Sequence, residues 1–127
     1  MKTPEEVLKK WIHAVNEGDV ESLVDLYDDS AVFIPTFSSR ILRTSEGIRD
    51  YFTKLATREE LSLALHDKTL AIQTVHDGIF IISGIYCWRF AIDGEMLSFE
   101  ARFNYMLDLN LERPILQHHS SQIPRVL

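Results

Sequence analysis

The chain has 127 residues, 46% of them apolar and 25% charged, with a net charge of −6 at neutral pH. That is enough chain for one domain with its own core, residues 1–127, and too apolar a composition for a disordered one. The acidic balance, with no basic cluster, excludes an electrostatic footprint for nucleic acid or an anionic membrane.

The start, MKTPEEVLKKW, has no apolar leader, and the longest apolar run, Ile79–Ile82, is far too short to cross a bilayer. The single cysteine, Cys87, cannot form an internal disulfide, so a reducing, cytoplasmic setting is expected. Thr3-Pro4-Glu5-Glu6 opens a first helix: Thr3 caps, Pro4 suits the first turn and Glu6 completes a capping box. Val7, Leu8, Trp11, Ile12 and Val15 form its apolar stripe and Gly18 stops it. Asp19 caps a second helix with Val20, Leu23, Val24 and Tyr27 on its inner face. Ala31–Ile34 reads as a short buried strand closed by Pro35. Thr44 or Ser45 caps a third helix carrying Ile48, Tyr51, Phe52 and Leu55.

From Leu61 the apolar period changes from helical to two. Asp77-Gly78 and Asp93-Gly94 are hairpin signals, so long strands run down, up, down and up to Ile115–Ile123. Helices first and an antiparallel meander after them is an α+β pattern, three helices packed on one side of a curved sheet. In Ile79–Ile92 both faces are apolar: Phe80, Ile82, Tyr86, Trp88 and Phe90 on one, Ile79, Ile81, Ile85 and Cys87 on the other. A sheet with one wet face alternates apolar and polar residues, so a second copy of the sheet is expected to cover the other face, giving a homodimer.

Met96–Pro124 holds the candidate chemistry. Glu100, Arg102 and Asn104 share one strand face, and an Arg fork suits a carboxylate, unless Arg102 and Glu100 simply pair with each other. His118 and His119 are adjacent on a strand, point to opposite faces and cannot both ligate one ion; His13, His66 and His76 stand on separate elements, so no metal site is expected. Alternation groups His119 with Gln117 and Ser121, and His118 with Leu116 and Ser120. Ser120 and Ser121 lack a nucleophile elbow or triad order, and Cys87 reads as a core thiol. No phosphate loop or dinucleotide fingerprint is present, so no cofactor is expected.

Trp11, Asn16-Glu17-Gly18-Asp19, Leu26–Phe33, Ile48–Phe52 and the long strands together resemble the nuclear transport factor 2-like (cystatin-like, SnoaL-like) superfamily, whose fold is cone-shaped. Phe99-Glu100-Ala101-Arg102-Phe103 and Ile115–Ser121 with Pro124 are similar to the Glu-x-Arg and closing His-His-Ser-Ser strands of the calcium/calmodulin-dependent protein kinase II association-domain family. That resemblance implies a single-domain version without a kinase segment, an oligomer built through the sheet, and a deep pocket lined by Arg89, Arg102 and His119. It places His119 in the pocket and leaves His118 to the dimer or solvent.

With Glu100, Trp11 and Asn104 as further wall residues, the leading expectation is a homodimer whose pocket binds a small polar ligand or carboxylate. One alternative is an isomerase, cyclase or dehydratase with His119 as general base. The ketosteroid isomerase pattern argues against that chemistry, since Ile34, Trp11 and Arg102 stand where its base, tyrosine and acid belong. The other alternative is a purely structural oligomerisation module, whose signature would be a cavity filled by Trp11, Phe33 and Phe103.

Overall fold

A computed structural model describes residues 2–124. Helix α1 spans Pro4–Glu17, with Thr3 Oγ1 accepting from the Glu6 amide at 3.2 Å and Gly18 closing it in the left-handed region. Helix α2 is short, Val20–Val24, capped by Asp19. Helix α3, Ser45–Leu55, is capped by Thr44.

Strand β1 runs Tyr27–Ile34, four residues longer than the sequence suggests. Tyr27 therefore opens a strand and does not end a helix. Its partner explains why: β1 lies parallel to β6, Ile115–Gln122, with Tyr27 opposite Ile115, and this ladder outweighs the local helical spacing.

The remaining strands are β2 (Glu59–Leu65), β3 (Ala71–His76), β4 (Ile79–Ile92) and β5 (Glu95–Asp108). The sheet runs β1-β6-β5-β4-β2, with β3 also paired to β4, and is mixed because of β1. The expected first long strand is thus two short ones sharing one edge of β4, separated by a turn at Asp67–Thr69. Thr69 spans the break: its hydroxyl accepts from the Ile85 amide at 2.9 Å and donates to the His66 carbonyl at 2.7 Å. Asp93 and Gly94 both take positive φ, 52° and 78°, as a tight hairpin between two right-twisted strands requires. Gly84 is needed for a different reason. A Cβ there would meet the Phe103 ring at 3.1 Å.

Strand parity separates two faces. Ile82, Tyr86, Trp88 and Phe90 of β4, Ala101, Phe103, Tyr105 and Leu107 of β5, and His118 and Ser120 of β6 are buried against the helices. The helices contribute Val7, Leu8, Trp11, Val15, Leu23, Ile48 and Phe52. Asn16 ties the end of α1 to edge strand β2, donating to the Leu63 carbonyl at 3.0 Å and accepting from the Leu63 amide at 2.7 Å. No helix among the described residues is long and apolar enough to cross a membrane.

Candidate functional site

The inner face holds a buried polar chain that the sequence reading did not single out. Trp11 enters from α1, Tyr27 from the start of β1, Tyr86 from β4 and His118 from β6. All four are at most 1% exposed. The Trp11 indole Nε1 donates to the Tyr27 hydroxyl at 3.0 Å. That hydroxyl lies 2.8 Å from His118 Nδ1, and the Tyr86 hydroxyl 3.2 Å from His118 Nε2.

An indole N–H can only donate, so the Tyr27 hydroxyl accepts from Trp11. The neutral His118 ring bridges the two hydroxyls, accepting a hydrogen bond from one and donating its own N–H to the other. Burial holds its pKa well below the usual histidine value, with His119 nearby adding to the effect. Burial likewise pushes the Tyr27 and Tyr86 hydroxyls up, so both stay protonated. The hydroxyls of Ser120 and Thr36 form a short hydrogen bond at the far end. Two buried polar atoms, Trp88 Nε1 and the Tyr105 hydroxyl, have no partner among the described residues.

Aromatic packing closes the space around this chain. Trp11 stacks on Tyr86 (5.6 Å between centroids), and Tyr86 stacks on Phe103 (4.5 Å). His118 is sandwiched between Phe33 (4.5 Å) and Tyr105 (3.8 Å). Trp11, Phe33 and Phe103 thus fill the centre between helices and sheet, the feature expected of a purely structural module, so any ligand must be held away from that centre.

The open volume lies to one side. A groove of about 800 Å³ runs between the β1–α3 loop, α3 and the β4–β5 hairpin end. Phe37, Tyr51, Phe90 and Phe99 supply aromatic walls; Arg40, Lys54 and Arg58 stand on its rim with one acid, Asp50. The Arg58 guanidinium sits 5.6 Å over the Phe90 ring, which orients it across the groove.

The expected pocket residues sit elsewhere. Glu100, Arg102 and Asn104 are exposed on the outer face of β5, Arg89 is exposed on β4, and His119 is half-buried opposite Asn104. Trp11 lies on the other side of the sheet. The polar group stays together as alternation implies, but outside. His118 is the inner histidine and His119 the outer one, the reverse of the expectation. The reason is parity: Ala101, Phe103 and Tyr105 carry the apolar area that the helices bury, and Ser120 and His118 stand opposite Phe103 and Tyr105.

Nor do the two arginines converge. Arg102 stands opposite Ile85, four residues along β4 from Arg89, about 14 Å of strand with Glu100 and Cys87 between them. Glu100 pairs with His66 (3.7 Å), and His119 Nε2 meets the Ser121 hydroxyl at 2.8 Å. Among the described residues no cluster of His, Cys, Asp and Glu is arranged to hold a metal.

Three helices laid on a curved, unclosed mixed sheet, with an aromatic centre and a groove at one end, define the nuclear transport factor 2-like, cystatin-like fold. The chain belongs to the calcium/calmodulin-dependent protein kinase II association-domain family, whose model matches residues 5–124. A candidate association domain of that type from Xanthomonas campestris superposes with a TM-score of 0.85 at 22% identity, over 96% of this chain and 86% of that one. A candidate dehydratase of the NTF2-like family from Streptomyces avermitilis gives 0.78 at 10% identity, covering 95% and 94%. The epoxide hydrolase/cyclase-like enzyme SalBIII of salinomycin pyran-ring formation gives 0.75 at 16%, covering 94% and 89%. No curated protein matches the chain.

Proposed function

We propose that this protein is a homodimeric association domain that pairs through the outer face of its sheet and holds a small organic anion in its groove. The observation that carries the pairing is the apolar outer side of β4. Ile79, Ile81, Ile85 and Cys87 are partly, not fully, covered in a single chain. They continue sideways: Ile81 lies beside Met106, and Val32 and Ile34 of β1 flank Gln117 and His119. A stripe of this kind across an otherwise bare sheet face calls for a partner. Glu100 and Arg102, two residues apart on that face, offer both signs for cross-pairing about a two-fold axis. Arg89, Asn104 and His119 then belong to the interface, and Cys87 is sheltered there, in keeping with a cytoplasmic setting. Size-exclusion chromatography with light scattering should give a dimer, and Ile81→Glu should give a folded monomer. A monomeric parent at micromolar concentration would overturn the reading.

The anion is supported by the groove's three cations against one acid over an aromatic floor. Benzoate titrated calorimetrically should bind, and Arg58→Ala should weaken it about fivefold, the scale of one exposed charge contact. Binding that ignores the substitution would remove Arg58 from the role.

A further inference from the structure

Resting on the groove reading, we propose that Phe37 is a displaceable plug and that a ligand ring can take its place, an extension of the groove as far as Trp88. The ligand class is then a planar aromatic carboxylate with a hydrogen-bond acceptor opposite its acid group, that acceptor being received by the Trp88 indole N–H.

Three observations converge on Phe37. Its ring makes T-shaped contacts with Trp88 (5.6 Å), Phe90 (5.4 Å) and Phe99 (5.4 Å) at once, so three aromatic rings surround the place it occupies. Phe37 is partly buried, on the loop between β1 and α3, with its backbone amide held by a 3.3 Å bond to the Tyr51 hydroxyl. Behind it, Trp88 is buried and its Nε1–H has no partner among the described residues. Buried donors without partners are rare in folded proteins, and the Trp88 ring packs against Phe37, which lines the groove.

Exchange of rings explains the ligand class. An aromatic ligand that takes the place of the Phe37 side chain keeps the contacts with Trp88, Phe90 and Phe99, so no apolar packing is lost inside. What is added is polar: an acceptor for the orphan indole N–H at one end, and a carboxylate for Arg40, Lys54 or Arg58 at the other. An aliphatic acid cannot replace the edge-to-face contacts, and an aromatic acid without the second acceptor leaves the indole unpaired.

The test compares 4-acetylbenzoate with 4-isopropylbenzoate, a pair of similar shape of which only the first carries the acceptor. On the full chain, 4-acetylbenzoate should bind about fivefold tighter, the ratio expected for one net hydrogen bond. It alone should move the Trp88 indole N–H resonance, assigned by its loss in Trp88→Phe. Phe37→Ala should tighten both acids several-fold by removing the plug, with Phe37→Leu as the gentler variant should the alanine protein not fold. Equal affinities with an unmoved Trp88 resonance would overturn the extension while leaving anion binding in the groove intact, shown by continued loss in Arg58→Ala. Failure of both acids to bind any variant would overturn the extension and the groove reading together.

Discussion

Replacing His118 by alanine should destabilise the fold by about 4 kcal/mol, roughly 15 °C in melting temperature for a domain of this size. Two contributions add. The imidazole is wholly buried between the Phe33 and Tyr105 rings, so its removal opens a void in a packed aromatic layer. It also ends a hydrogen-bond chain, leaving the Tyr27 and Tyr86 hydroxyls buried without their shared partner. The adjacent histidine is the control. His119 is half-buried on the outer face and bonded to Ser121, so His119→Ala should change the stability of the single chain by no more than about 0.5 kcal/mol. Tyr86→Phe, which removes one hydroxyl and no packing, should fall between them at about 1–2 kcal/mol. Denaturant midpoints measure all three. Equal losses for the two histidines would contradict the assignment of faces.

That pair also shows what could be read from the sequence. Period two separates His118 from His119 without any structure, and it groups Glu100, Arg102 and Asn104 on one face of their strand and Gln117, His119 and Ser121 on one face of theirs. It does not say which group the helices cover. The apolar content of Phe99, Ala101, Phe103 and Tyr105 does say so, because the face of β5 with the larger apolar area must meet the core. Followed through, that argument sends Arg102 outward and His118 inward. The helix caps at Thr3, Asp19 and Thr44, and the turns at Asp77-Gly78 and Asp93-Gly94, were legible because each depends on local backbone chemistry. The parallel pairing of β1 with β6 was not, since its partners stand some ninety residues apart. The groove was hidden for a similar reason. Phe37, Lys54, Arg58, Phe90 and Phe99 come from five separate segments, and no spacing along the chain marks them as neighbours. Trp11 was visible as a helix-stripe residue, but its place at the head of a buried hydrogen-bond chain emerges only with Tyr27 at 3.0 Å.

The same histidine makes the fold sensitive to mild acid, and the direction follows from where its proton goes. In the folded chain burial keeps His118 neutral well below the ordinary titration range. In the unfolded chain an imidazole takes up a proton near pH 6.5. Below that pH the unfolded state therefore binds a proton that the folded state refuses, and stability drops by up to about 1.4 kcal/mol for each further pH unit. Between pH 6.5 and 4.5 stability should therefore fall as the pH is lowered, at no more than that rate, while from pH 7 to 9 His118 contributes no slope. Carboxylates act in a lower window. Asp19, Glu21 and Asp28 are held below their usual values by hydrogen bonds from Ser22, Arg49 and Ser30, so their contributions fade only as the pH falls through the acid range beneath 4. Urea titrations at fixed protein concentration should thus show a slope between pH 6.5 and 4.5 that His118→Phe, which keeps an aromatic ring in the stack, largely removes. A parent midpoint that stays flat across that window would mean that the buried imidazole accepts a proton without leaving the core, and the neutral hydrogen-bond chain from Trp11 to Tyr86 would have to be redrawn.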